Sequence, residues 1–580
     1  MASFRRFLTG IAAPAALVAA IQVSAAAQIG YPLPEDSLEV NGVHQTKTSH
    51  VVVHVPFIAP LPDKGVHPHA AQGLQRRYAG APIDVLRYHN DNYPTGWNQA
   101  ETDLTPTTVH SASFGLLQTL TVDGNVHAQP LIVSNFKMPD NQFHNVLIVA
   151  TGHDTVYAFD AQDYALLWKR SLGTAQPTND VGCSDITPEY GIASTPVIVR
   201  PDAETATIYL IAATEPGAPG SLSFHTKIHA LNVLNGRDIM KAREINPRGG
   251  LGSGEALHFD PQNQWSRASL AYANGSIYVG IGSHCDNQPG SISGWLLRYD
   301  ASTLSLQSKF NTIGHPAGYE LSSIWMSGFS PAISPDGSKI YAVTGNGDFD
   351  LDKKRTNYGE SVLGLSSDLN KTTVDYFTPH DYAGLNNGDT DFGSGGAMLI
   401  PTVSGQTAPP MLVAMGKASI AYLLNANSLG GLEQTEGTGG LQQVGISSCW
   451  CGPAYYVGPS GGVVFYQGYG DVLRSYAVAT GATPSLTPVH QGTTNAGFGG
   501  SFPVVSSNGA TAHTGVVWVL RRNSTMQLEA YDAETLGAPI FAANAGHWSN
   551  SRGNFSSPLV ADGRVYAPAY KSVSVFGLTN

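Results

Sequence analysis

Glu215, Asn346 and Asp391 offer two carboxylates and an amide oxygen, a set of hard oxygen donors of the kind that holds calcium. Trp325, in the segment SSIWMSG, can lie as a flat platform beneath an aromatic ligand. Lys417, in AMGKAS, can donate hydrogen bonds to a ligand carbonyl or carboxylate. Alone, each has a plainer reading, since a tryptophan at a strand entrance is commonly core and a turn lysine is commonly solvated. Their chemical meaning depends on an architecture that gathers residues this far apart into one place.

That architecture is written in an internal repeat. The clearest copy is NVLIVATGHDTVYAFDAQDYALLW (Asn145–Trp168): an apolar strand, a short polar turn, a second alternating strand, and a turn of the Asp-Ala-x-x kind. Related copies include TIYLIAATEPG (Thr207–Gly217), SIYVGIGSHCD (Ser276–Asp286), KIYAVTGNGDF (Lys339–Phe349), MLVAMGKASIAYLLN (Met411–Asn425) and RVYAPAYKSVSVFG (Arg564–Gly577). They recur roughly every 45 to 70 residues, the spacing of propeller blades. Eight copies predict an all-β, eight-bladed β-propeller of four-stranded antiparallel blades, with seven blades as the alternative. Only three strands remain for the last blade, so a strand near Phe114–Val122 is expected to complete it and remove the exposed edge.

In such a blade, the turn between its second and third strands and the segment leading into its first emerge at the same end. The second-to-third turns carry Glu215, Asn346 and Lys417, and the leading segments carry Glu189, Arg267, Trp325, Asp389 and Asp391. The residue types differ from copy to copy while the strands stay alike. A heterogeneous binding site on a repetitive frame has that pattern. Arg267 and Glu189 join Trp325 and Lys417 as candidate cofactor contacts.

Composition bounds the rest. Of 580 residues, 42% are hydrophobic and only 13% are charged, the balance of a packed globular chain. The first 27 residues, with Arg5, Arg6, an apolar run and small residues at Ala25 and Ala27, read as a secretory signal; 28–84, rich in Pro, His and small polar residues, read as an irregular extension; 85–580 form the propeller. Loss of Arg5 and Arg6 would take the net charge from −12 to −14. An acidic chain without a basic run or a later apolar span predicts no nucleic-acid partner, no transmembrane segment, and a periplasmic or secreted location. Cys183, Cys285, Cys449 and Cys451 are then free to form disulfides, with the pairing open except that Cys449 and Cys451 look too close for an easy bridge. A C-x-x-C-H haem motif is absent from the sequence.

From about Tyr88 onward the chain resembles the quinoprotein alcohol dehydrogenases, eight-bladed propellers that bind pyrroloquinoline quinone (PQQ) and usually calcium. IYAVTGNGDFD is similar to the family's Thr-Gly-Asn metal turn, IYLIAATEPG to the turn that supplies a glutamate ligand, and YFTPHDYAGLNNGDTDFGSGG to the segment carrying the catalytic base. The resemblance implies metal ligands at Glu215, Asn346 and Asp391, a base at Asp391 with Asp389 as second choice, a quinone contact at Lys417 and a stacking platform at Trp325. It also implies a small alcohol or sugar as substrate and a separate electron acceptor. Asp389-Thr390-Asp391 has the two-residue spacing of lanthanide-type members, so calcium and lanthanide both stay open. Departures are the missing Cys-Cys pair, extra residues before Asp391, and a docking signature complete only around Trp168. These allow the alternative of a non-catalytic propeller acting as a binding or envelope-assembly scaffold.

Overall fold

A computed structural model describes residues 83–217, 221–250, 256–287, 292–314, 321–353, 355–370, 374–549 and 555–579. The expected signal segment and nearly all of the expected extension lie outside the described residues. Eight mainly antiparallel sheets, the blades, follow one another in chain order. The first blade is Leu131–Lys137, Phe143–Ala150, Thr155–Asp160 and Leu166–Ser171. The second is Val197–Val199, Thr207–Thr214, His225–Asn232 and Arg243–Glu244; the third is Ala271–Ala273, Ser276–Ser283, Trp295–Asp300 and Leu306–Asn311. Blades four to seven begin at Ala332–Ile333, Ala397–Ile400, Ala454–Gly458 and Val504–Ser506. The fourth and seventh each gain a short parallel strand, Gly431–Leu432 and Trp97–Asn98.

The eighth blade closes the ring as the sequence predicts. Leu559–Ala561 pairs with the start of Arg564–Leu578, and Phe114–Asn125 pairs with the end of it. Arg564–Leu578 doubles back at Lys571, whose φ is +58, so that Gly577 lies against the Gly563 carbonyl. Three strands from late in the chain and one from early in it make the fourfold sheet, and the edge that a three-stranded blade would expose is covered.

Burial explains the sequence pattern. Second strands such as Phe143–Ala150 and Thr207–Thr214 are buried on both faces between neighbouring blades, hence their unbroken apolar runs. Outermost strands alternate or turn polar, as in Leu166–Ser171. Trp168 docks this outer strand on the second blade: its Nε1 donates to the Val233 carbonyl at 2.7 Å, and its ring packs on Gly236. A Cβ at Gly236, where φ is +68, would sit 2.6 Å from the indole, so the turn needs glycine for both conformation and space. Before the first blade, Asp84 pairs with Arg200 at 2.7 Å and Val85 bridges to Ile132.

Candidate active site

Turns from successive blades enclose a cavity of about 770 Å³ at one end of the propeller. Six of the eight residues singled out from the sequence line it: Arg267, Trp325, Asn346, Asp389, Asp391 and Lys417. The other two, Glu189 and Glu215, lead into or belong to the second blade and are not among the lining residues. Glu215 turns its Oε1 onto its own loop, accepting from the Gly217 and Ser223 amides at 2.8 and 2.9 Å. Glu189 faces His153, with Nδ1 and Oε1 2.8 Å apart. The space beside Asn346 is filled instead by Asp286, from the corresponding turn of the third blade.

Asp391 is the centre of the lining. Its Oδ1 accepts from the Asn346 amide at 2.9 Å, and its Oδ2 accepts from Lys417 Nζ at 2.5 Å. The backbone brings these turns together through glycines at points of close approach. A Cβ on Gly345 would stand 2.4 Å from Asp391 Oδ1, and one on Gly416 would stand 2.7 Å from the Asp391 carbonyl oxygen. The Thr-Gly-Asn and Met-Gly-Lys segments therefore need their glycines for the same reason: an aspartate from a third turn sits between them. Asp391 itself precedes a short 3₁₀ turn, Phe392–Ser394, and its side chain is only 4% exposed against 78% for Asp389. That contrast makes Asp391 the carboxylate held inside the cavity wall and Asp389 the one at its rim.

The charges are unequal. Lys417 contacts both Asp389, at 2.8 Å, and Asp391. Although burial works against its charge, the two carboxylates hold its pKa above the usual lysine range. One ammonium does not neutralise the carboxylates present. Asp286 is pushed up to about 6, first by burial and then by the nearby Asp391. Glu360, buried behind Asp391 and accepting from the Phe392 amide at 2.6 Å, is driven well above the carboxylate range for the same two reasons. Asn346 Nδ2 bridges Asp286 Oδ2 and Asp389 Oδ1 at 3.3 and 3.0 Å, while its buried Oδ1 has no hydrogen-bond partner among the described residues. An amide hydrogen pair thus occupies the position between two carboxylates where a cation's charge would serve better.

At the opposite wall the sign reverses. The Arg267 guanidinium lies 3.5 Å from the Phe555 ring centroid and 4.7 Å from that of Trp325, and its covered Nε has no hydrogen-bond partner among the described residues. Burial lowers its pKa to about 10, so it stays charged at neutral pH. Trp325 precedes a turn in which Met326, Ser327 and Gly328 all have positive φ, a conformation non-glycine residues adopt at a cost and keep where the surroundings impose it. The cavity therefore offers an aromatic wall with a buried guanidinium at one side and excess carboxylate at the other.

Both pairs of cysteines are bridged, Cys183 to Cys285 and Cys449 to Cys451. The second pairing overturns the expectation that these two stand too close, because the Cα atoms approach to 4.9 Å and the chain folds sharply around Trp450. The first bridge joins the approach to the second blade with the turn bearing Asp286; Cys285 and Asp286 both have positive φ there. Sequence separations of 102 and 2 give the bridges different work. Loop-closure entropy assigns about 5 kcal/mol to the long loop and about 2 kcal/mol to the short one. Replacing Cys183 and Cys285 by alanine should accordingly lower the thermal midpoint well below that of the Cys449→Ala/Cys451→Ala protein, read by melting under non-reducing conditions.

No protein-family model matches the sequence, and no curated protein does. Solved structures match over most of the chain. A quinohemoprotein alcohol dehydrogenase from Comamonas testosteroni aligns with 85% of this chain and 80% of its own, at a TM-score of 0.56 and 12% identity. A second, from Pseudomonas putida HK5, covers the same shares at 0.53 and 12%. A europium-containing methanol dehydrogenase aligns over 86% of this chain and 98% of its own, at 0.54 and 12%. The fold is that of the quinoprotein alcohol dehydrogenases. At this identity the likeness is one of fold, and the chemistry has to come from the residues just described.

The sequence places Asp286 in a turn at this end of the propeller but gives it no role, and it does not mark Trp450 or Phe555 as parts of the cavity. Asp286 had a visible signal, since it occupies in the third blade the turn position that Asn346 occupies in the fourth. Trp450 and Phe555 lie in blade-leading segments without a distinctive motif.

Proposed function

We propose that the chain is an exported, PQQ-dependent dehydrogenase that oxidises an alcohol or sugar and passes electrons to a separate acceptor. The observation that carries this reading is the unpartnered, buried Oδ1 of Asn346 beside Asp286, Asp389 and Asp391, in the wall of a cavity that also presents Trp325 and Arg267. Such a donor set fits a calcium or lanthanide ion: a half-turn of the Asn346 amide would present Oδ1 to the space between carboxylates, which are hard oxygen donors. Asp286 replaces Glu215 in this ligand set, with Asn346 and Asp391 retained. A flat, multiply carboxylated quinone fits the other side, where Trp325 supplies a ring face and Arg267 and Lys417 supply positive charge.

When bound, PQQ supplies the two-electron acceptor, its carbonyl polarised by the metal ion. Asp391 removes the hydroxyl proton of the substrate at a carboxylate oxygen, since each of its oxygens keeps a lone pair beyond those given to Asn346 and Lys417. Lys417 holds Asp391 in place. Phe555, Trp450 and Phe498 line the same cavity and limit water around the base. Electrons leave through a separate acceptor. Two disulfides support an oxidising location, periplasmic or secreted, and among the described residues no helix is long and apolar enough to cross a membrane.

The test is titration of the purified protein with PQQ in the presence of calcium or lanthanum, followed by dye reduction with a panel of alcohols and sugars. Stoichiometric quinone absorbance and turnover are expected. Cation affinity should fall as pH drops through about 6, because protons then compete for Asp286. A protein that binds neither quinone nor cation would be a scaffold or binding propeller instead.

A further inference from the structure

We propose that Trp450, carried in the three-residue ring closed by the Cys449–Cys451 disulfide, is a second aromatic wall that binds the flat ligand beside Lys417, and that the bridge exists to fix it there. The inference rests on the quinone-binding reading above. Trp450 lines the cavity, while the two cysteines on either side of it are fully buried. Lys417 Nζ lies 5.4 Å from its ring centroid and 5.9 Å from that of Trp325, so the same ammonium faces both indoles. Phe498 and Tyr469 back the Trp450 ring at 5.2 and 6.3 Å.

The bridge is too local to contribute much against unfolding, and its surroundings point to positioning. The backbone polar groups of Cys449 and Trp450 are tied to turns that line the cavity or back it. The Cys449 amide donates to the Gly416 carbonyl at 3.3 Å, and the Ser448 hydroxyl donates to the Lys417 carbonyl at 3.0 Å. The single Ser394 hydroxyl proton is shared between the Cys449 carbonyl, 2.7 Å from Oγ, and the Asp391 carbonyl, 2.8 Å from it. The Trp450 amide donates to the Gly499 carbonyl at 3.0 Å, and Arg522 donates to the Trp450 carbonyl at 3.0 Å. A Cβ on Gly499, where φ is +76, would come 3.1 Å from the Trp450 Cβ. The ring is thus keyed to the turns of Asp391 and Lys417, and only its indole is left to meet a ligand. An ordinary packing tryptophan would not need a covalent ring on its own neighbours.

Two variants and two measurements separate the parts of the proposal. In ligand-free protein, acrylamide quenching of the Trp450 signal, isolated by subtracting the spectrum of Trp450→Phe, should rise several-fold when Cys449 and Cys451 are both alanine. PQQ with calcium should then bind roughly ten- to a hundred-fold more weakly to Trp450→Ala and to the double alanine variant, the usual loss for one stacking surface. Trp450→Phe should recover most of the affinity. Unchanged quenching in the double variant would overturn the positioning role. Wild-type PQQ affinity in Trp450→Ala would overturn the wall, leaving the quinone reading intact. Failure of the wild-type protein itself to bind PQQ would sink that reading and the ligand role of Trp450 together, with the quenching result still deciding what the bridge does. Circular dichroism confirms that each variant is folded.

Discussion

Asp391→Asn should lower turnover by roughly 10²- to 10⁴-fold, the contribution expected of a general base, while quinone absorbance persists. The amide keeps an oxygen to accept from the Asn346 backbone, and Lys417 retains Asp389 as a partner, so the turns around position 391 have no reason to separate. What is lost is a group able to take a proton. Asp389→Asn is the matched comparison: its side chain is 78% exposed and its pairing with Lys417 is largely solvent-screened, so turnover should fall far less than in Asp391→Asn. Steady-state rates beside the absorbance titration separate the cases. If Asp389→Asn is the silent enzyme and Asp391→Asn the active one, the base has been assigned to the wrong carboxylate. Loss of both turnover and absorbance in Asp391→Asn would mean that Asp391 is needed to assemble the site, and its role as base would lose its support.

Arg267→Met should move stability and binding in opposite directions. In the ligand-free protein the guanidinium is held against two aromatic rings, with its Nε unpartnered and its pKa lowered by burial. Methionine keeps the length and apolar contact of the side chain without the charge. Melting should show a gain on the order of 1 kcal/mol, since exchanging a partly buried charge without a close ion-pair partner among the described residues for a packed apolar group is neutral to stabilising. Affinity for PQQ should fall roughly 10²-fold, because the ligand's carboxylate loses its charged partner. A variant that is both less stable and equally good at binding would show that Arg267 supports the fold and not the ligand. The opposed signs are the signature of a functional position, where local stability is given up for recognition.

The ring of blades was legible because each copy repeats the same burial problem. Strands pressed between neighbours on both faces must be apolar throughout, and Val146–Ala150 or Ile208–Ala213 cannot be read as anything else. Closure by Phe114–Asn125 was legible by counting: a blade with three strands has an edge to cover. The cavity was partly legible for a related reason, since equivalent turns must meet at one end, and Trp325, Asn346, Asp391 and Lys417 do. Glu215 shows where that logic stops. It stands in an equivalent turn, yet a longer loop lets its carboxylate fold back on the Gly217 and Ser223 amides, and loop length inside one copy carries no signal of that choice. Asp286 was the reverse case, an acid in an equivalent turn passed over because Glu215 already filled the expected ligand set. The Cys449–Cys451 bridge depends on a local chain reversal that residue types alone do not encode.

Ring closure by an early strand also sets a schedule for biogenesis. Phe114–Asn125 has no sheet to join until the residues near Leu578 have been made, more than four hundred positions later. At ordinary translation speeds that wait is on the order of tens of seconds. Throughout it the nascent polypeptide carries an unzipped end strand and a partial ring whose two flanks are open, both ready templates for mispairing with other copies. Final assembly is therefore a late snap rather than a progressive build. Overproduction of prematurely terminated chains should drive them into inclusion bodies even though most of their blades are intact.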